Sequence, residues 1–161
     1  INKVISCYPK NKNVLIRRNI YSVISSLVKK KWFSNQKNLI DSFLPHKIIG
    51  SRKYPYWFDK NYLKIWKKSN EITRCAIFVL VSENYYRKLK KNILINYEDL
   101  VSNPIESIKE LTKKMNLRMT KNTFQILNTV KRKTQKINVK HIKDSIHPEI
   151  LKKLKKYESR N

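Results

Sequence analysis

The run NILINYEDLVSNPIESIKELTKKMNL, Asn92 to Leu117, carries the most local order in this chain. Ile93-Leu94-Ile95 is short, apolar and rich in β-branched residues, which predicts a buried strand that ends at Asn96-Tyr97-Glu98-Asp99. A helix start follows. Asn103 stands at the N-cap, Pro104 at the first helical position and Glu106 three residues after the cap, the pattern of a capping box. Ile105, Ile108, Leu111 and Met115 fall on one face of that helix.

Upstream, Asn13-Val14-Leu15-Ile16 predicts a second buried strand. It leads through Arg17-Arg18-Asn19 into a helix whose apolar face is Ile20, Val23, Ile24 and Leu27, with Val28 continuing it. Lys29-Lys30-Lys31 closes that helix, where cations suit the negative end of the dipole. Leu39 to Leu44 predicts a short helix stopped near Pro45. Ile48 to Pro55 holds the only glycine and reads as loop. Trp57 to Trp66 predicts a helix with Trp57, Tyr62, Ile65 and Trp66 inward. Glu71 to Leu89 is the longest helical stretch, with Ile72, Cys75, Ala76, Val79, Leu80 and Ser82 as its buried stripe. Lys121 to Val130 and Pro148 to Tyr157 predict two more helices, joined by a basic linker from Lys131 to Lys143. Two strands that each feed a helix, around a helical middle, predict an α/β layout with few parallel strands and many flanking helices.

The 161 residues suit one domain with a single core, taken as 1–161. Apolar residues make up 40% and aromatics 11%, too many for a disordered chain. The net charge of +26 favours polyanions such as nucleic acid, phosphorylated ligands or acidic glycans. Lys, Asn and Ile abound throughout, while Gly and Ala each occur once, so compositional bias of an AT-rich genome accounts for the charge as well as a polyanion partner does. Cys7 and Cys75 make neither a disulfide framework nor a zinc site, and no metal is expected. No apolar run is long enough to span a membrane, and no secretory signal is seen. The compartment and oligomeric state stay open, with a cytoplasmic location expected if no targeting or anchor segment lies upstream.

The Asn92–Leu117 segment resembles the C-terminal part of a sulfotransferase that uses 3′-phosphoadenosine-5′-phosphosulfate (PAPS). In that family a strand ends in a Tyr-Glu-Asp-Leu-like element, a loop ends in Asn-Pro or Asp-Pro, and a helix closes on Phe-Leu-Gly-Leu. Here the close is Lys114-Met115-Asn116-Leu117, without the Phe and Gly. Asn13 to Leu27 resembles the family's strand, its Arg-Asp/Asn-Pro-x-Asp-Val-x-x-Ser turn and the following helix. On that alignment the family's Arg and Ser fall on Arg18 and Ser26, with Ile20 in place of Pro and Ser22 in place of Asp. Arg17 and Ser25 keep the same spacing one step earlier, so both registers stay open.

The resemblance implies a partial sulfotransferase-like P-loop fold in which Arg18 and Ser26 hold the 3′-phosphate of PAPS and Tyr97 meets its adenine side. Arg132 and Lys133, in the run Lys131-Arg132-Lys133, are the nearest further cations for that phosphate. Guanidinium suits bidentate phosphate binding, and a strand-to-helix turn directs free backbone N–H groups at an anion. The family's 5′-phosphosulfate loop needs a glycine in a context that Gly50 does not have, and the chain starts at Ile1, so that loop is expected upstream. Where one branch of the family carries its histidine base, Cys7 stands within Ile5-Ser6-Cys7-Tyr8-Pro9, and no catalytic base is assigned. His46, His141 and His147 read as surface or capping residues.

The expected activity is sulfuryl transfer from PAPS to a hydroxyl or amine, carbohydrate among the candidate acceptors. The rival reading is a non-enzymatic basic module that binds nucleic acid on Trp32, Phe33, Tyr54, Tyr56 and Trp57 as stacking platforms. No RNA-binding motif accompanies those rings, so core or pocket walls are the preferred reading and nucleic acid is not the expected partner.

Overall fold

The computed structural model describes residues 13–34, 46–88, 92–129 and 137–158. In chain order these form β1 (Asn13–Arg17), α1 (Ile20–Lys29), β2 (His46–Ile49), β3 (Arg52–Pro55) and a 3-10 turn (Lys60–Tyr62). Then come α2 (Leu63–Lys68), α3 (Glu71–Tyr86), β4 (Asn92–Asn96), α4 (Tyr97–Ser102), α5 (Pro104–Met115), α6 (Lys121–Thr129), α7 (Val139–Ser145) and α8 (Pro148–Lys155). The chain is α/β and mostly helical, with a small parallel sheet. The helix expected over Leu39–Leu44 lies outside the described residues, as do Cys7, Arg132 and Lys133. The described residues divide into two compact units, 13–18 with 92–129 and 19–34 with 46–88 and 137–158.

In the first unit β1 and β4 pair in parallel, Asn13 opposite Asn92 through Arg17 opposite Asn96. Both strands were expected to be buried, but they alternate. Ile95 is buried, whereas Val14, Ile16 and Leu94 are 38%, 56% and 52% exposed. Side chains alternate across a strand, and the exposed ones fall on both faces of the pair: Val14 and Ile16 on one, Leu94 beside Leu15 on the other. Tyr97 begins α4 directly after β4 instead of extending the strand end. Glu98 and Asp99 sit in the first turn of α4, where acids suit the dipole.

The start of α5 departs from the expected capping box. Pro104 stands at its first turn, but the Asn103 side chain makes no capping bond. Asn103 closes α4 with φ −132° and ψ 65°, and its N–H already donates to the Asp99 carbonyl at 2.8 Å. No Asn103 N–H therefore remains for Glu106 to reach back to, and Glu106 meets Lys109 at 3.5 Å. The other end of α5 closes on Asn116, with φ 58° and ψ 39°. Leu117 N–H donates to the Thr112 carbonyl at 2.8 Å and Asn116 N–H to Lys113 at 3.2 Å, which is a Schellman close.

The second unit holds the main core. Ile24 of α1, Phe58, Ile77 and Leu80 of α3, and Ile150 and Leu154 of α8 are nearly or wholly inaccessible. Each such side chain contributes about 1.5–3 kcal/mol relative to exposure. Helix α3 buries Thr73, Cys75, Ala76, Ile77, Val79 and Leu80, while Ile72 and Ser82 of the expected stripe are half-buried. It packs against α1 as well as α7 and α8, so one stripe does not describe it. Thr73 replaces a simple apolar contact: its Oγ1 donates to Ser145 O at 3.4 Å and accepts from His147 N–H at 3.0 Å. A buried hydroxyl satisfied on both sides joins α3 to the turn between α7 and α8.

Three further expectations change here. Ile48–Pro55 is not a loop: β2 and β3 form a hairpin, with Ile49 opposite Arg52. Its two-residue turn has φ +63° at Gly50, the glycine-first arrangement of a type II′ turn. Trp57 precedes the helix it was expected to start, because Asp59 caps a 3-10 turn at Lys60 by accepting from Asn61 N–H. The basic linker Lys131–Lys143 contains the start of α7, which Asn138 caps by accepting from His141 N–H at 3.0 Å and which buries Ile142.

Candidate functional site

The C-terminal ends of two parallel strands bring Arg18 and Tyr97 together. Arg17 stands opposite Asn96 in the register, so the residue after each strand end is also a neighbour. The Arg18 guanidinium carbon lies 4.7 Å from the Tyr97 ring centroid, a cation–π contact. Both side chains are half-buried. Arg18 donates no hydrogen bond among the described residues. A cation–π contact uses the guanidinium's charge and none of its N–H donors, which are the groups that grip phosphate. Arg17, one step earlier, closes β1 and has a partner of its own. Ends of parallel strands are where open α/β sheets place ligands.

Ser26 lies on α1 in the second unit, half-buried, with its carbonyl accepting from Lys30 N–H at 3.3 Å. Ser25 beside it is also half-buried. The free backbone N–H groups expected at the start of α1 are partly taken. The Asn19 side chain accepts from Tyr21 N–H at 3.0 Å and from Ser22 N–H at 3.2 Å. A short polar side chain at the N-cap does this by ordinary geometry. Arg132 and Lys133 lie outside the described residues.

A groove of about 190 Å³ runs beside β4, and no β1 residue lines it. Asp99, Glu110 and Lys114 stand in its wall with Leu94 and Leu111. Lys114 pairs with Glu110 at 3.7 Å. Two carboxylates against one ammonium make it a poor seat for a phosphate.

One polar cluster escaped sequence reading because its members are far apart in the chain. In the second unit the Tyr21 hydroxyl donates to Glu158 Oε1, and Lys143 donates to Glu158 Oε2 at 3.2 Å. The Lys143 ammonium also lies 4.7 Å from the Tyr21 ring centroid. Burial, then the bonded Glu158 carboxylate, push the Tyr21 phenol well above its ordinary range. Burial opposes ionisation of Glu158, yet the bonds from Tyr21 and Lys143 outweigh it and hold the carboxyl below its usual range. The cluster ties α1 to α7 and to Glu158, three residues past the end of α8. The apolar face read for α1, Ile20, Val23, Ile24 and Leu27, did not include Tyr21, so nothing local marked the cluster.

Among the histidines, His147 caps α8 by accepting from Glu149 N–H at 3.3 Å, and His141 is exposed on α7. The His46 side chain lies outside the described residues. No group of His, Cys, Asp and Glu among the described residues has the arrangement of a metal site. Cys75 is wholly buried, which pushes its thiol up to about 12. Of the aromatic residues weighed as stacking platforms, Phe33 packs edge-on against Trp57 and Trp66, and Tyr54 stacks on Phe58 at 5.0 Å. Tyr56 and Trp32 are exposed. No helix among the described residues is long and apolar enough to cross a membrane. No protein-family model, curated protein or solved structure matches the chain.

Proposed function

We propose that this chain is the 3′-phosphate-binding portion of a PAPS-dependent sulfotransferase with a P-loop-like fold. The observation that carries the reading is Arg18 over the Tyr97 ring at the ends of β1 and β4. Arg18 would grip the 3′-phosphate with its in-plane donors, and Tyr97 would hold the guanidinium and flank the adenine. On the family resemblance, Ser26 corresponds to the family's phosphate-binding serine, and Arg132 and Lys133 are the nearest further cations. The contact with Tyr97 favours the register of Arg18 and Ser26 over that of Arg17 and Ser25. The close of α5 supports the family resemblance independently. Asn116 adopts the left-handed conformation where the family's motif has glycine, and Asn is the side chain that visits it most readily.

Sulfuryl transfer needs an in-line acceptor hydroxyl or amine, a base and positive charge at the leaving oxygen. The residues described here would anchor the donor and leave those three roles to other parts of the protein. Calorimetric titration with the desulfated donor 3′-phosphoadenosine 5′-phosphate (PAP) tests the anchoring. Removing a charge-assisted contact costs about 2 kcal/mol, so Arg18→Ala should weaken PAP roughly thirtyfold. An unchanged isotherm for Arg18→Ala would remove the basis of the reading.

A further inference from the structure

In the first unit, strand β4 has β1 as its only sheet partner among the described residues. Its second edge therefore carries a row of unpaired backbone N–H and C=O groups, a template for another strand. The groove beside β4 follows that edge. Residues 93–96 line it consecutively, and because side chains alternate across a strand, consecutive residues share an edge and not a face. The opposite wall is one face of α5, with Ser107, Glu110, Leu111 and Lys114 at i, i+3, i+4 and i+7. Edge strands are ordinarily blunted by lysine, proline or a bulge. Residues 92–96 read Asn-Ile-Leu-Ile-Asn, pair with β1 in unbroken register, and leave Leu94 52% exposed.

Charge and sequence together say what fits this edge. Residues 92–117 hold four acids and three lysines, a net charge of −1, so the rest of the chain carries +27 of the +26 total. On α5, Lys109 and Lys114 are each paired with a glutamate a turn away. Two copies of so basic a chain repel one another over most of their surfaces, and they meet without that repulsion at β4 and α5. The strand also reads the same in both directions. An antiparallel partner centred on Leu94 sets Leu94 opposite the second copy's Leu94, Ile93 opposite its Ile95 and Asn92 opposite its Asn96. Like then meets like on each face, and matched β-branched and apolar pairs are what stabilise an antiparallel ladder. We propose that β4 pairs antiparallel with β4 of a second copy, giving a two-fold dimer with one four-stranded sheet in the order β1-β4-β4-β1. An antiparallel strand at the edge of a parallel sheet is a common arrangement, and the two-fold axis closes the assembly at two copies. The backbone groups alone accept any strand. The palindrome and the absence of net positive charge select a second copy. This interface stands independently of the nucleotide site at Arg18.

Sedimentation velocity over a concentration series tests the proposal on the whole chain at physiological salt. A five-residue edge makes a small interface, so half-association is expected near about 100 µM. Leu94→Lys and Leu94→Glu each set like charges directly opposite one another, and each alone should weaken association at least about tenfold. Mixing the two variants sets Lys opposite Glu and should restore association to within about threefold of wild type. Circular dichroism checks that each variant is folded, as expected for a position half exposed in the monomer. A wild-type chain still monomeric at about 1 mM would overturn the proposal. So would single variants that associate as wild type does, a mixture that fails to associate, or oligomers that grow past the dimer. If either variant fails to fold, Leu94→Arg and Leu94→Asp give the same comparison.

Discussion

Lys31→Gly should make the protein more stable, although glycine usually weakens a chain. Lys31 has φ 53°, in the left-handed region, directly after the C-cap of α1. Its N–H donates to the Val28 carbonyl at 2.9 Å and Trp32 N–H to Leu27 at 3.3 Å, so α1 closes in a Schellman motif built on lysine. An L-residue in that conformation costs about 1–2 kcal/mol. Glycine removes this cost but adds about 0.5–1 kcal/mol of chain entropy in the unfolded state. The Lys31 side chain is exposed, so little packing is lost. The balance is a gain of about 0.5–1 kcal/mol. Urea unfolding followed by tryptophan fluorescence reports it, because Trp32, Trp57 and Trp66 all lie in the second unit. The midpoint should rise with an unchanged m-value. Lys31→Ala keeps the Cβ and should stay within a few tenths of a kcal/mol of wild type. Asn116→Gly should gain less than Lys31→Gly, since Asn tolerates this conformation. A midpoint that falls in Lys31→Gly as far as it does for glycine in an exposed helix would refute the reasoning.

Gly50→Ala puts a Cβ on a residue at φ +63° in the β2–β3 turn, and a loss of about 1 kcal/mol is expected in the same urea assay. Glu158→Gln tests the Tyr21–Glu158–Lys143 cluster through pH. A carboxyl held below its unfolded pKa stabilises above that pKa, and the stabilisation disappears as pH falls through the folded value. The wild-type advantage over Glu158→Gln should therefore be full at neutral pH and shrink below about pH 4.5, and a pH-independent difference would contradict the assignment. Cys75, wholly buried with its thiol pushed up to about 12, should resist iodoacetamide in the native protein at pH 8 and react on unfolding, as read by peptide mass mapping.

The elements that were legible in the sequence are those whose signals are local. The β4 run, Pro104 at the start of α5, the periodic face of α1 and the helix expected over Pro148–Tyr157 all stand where their own residues put them. What was hidden depends on partners elsewhere. The hairpin needs β2 to find β3, and Gly50 alone does not say whether its turn joins strands. Helix α7 was masked by lysines, and only Asn138 and Ile142 marked it. The capping box at Asn103 failed because α4 had already claimed its N–H, which shows only once α4 is seen. At the candidate site, Arg18 and Tyr97 were each named from sequence. Their contact follows from the parallel register of β1 and β4, a non-local fact.

The proposal that the end of β1 recognises a 3′-phosphate predicts a difference between two nucleotides. Its most direct measurement compares PAP with adenosine 5′-phosphate by calorimetry on the wild-type chain. An extra charge-assisted phosphate contact of about 2 kcal/mol predicts roughly thirtyfold tighter binding of PAP. Equal affinity for the two nucleotides, or binding of neither, would contradict the account.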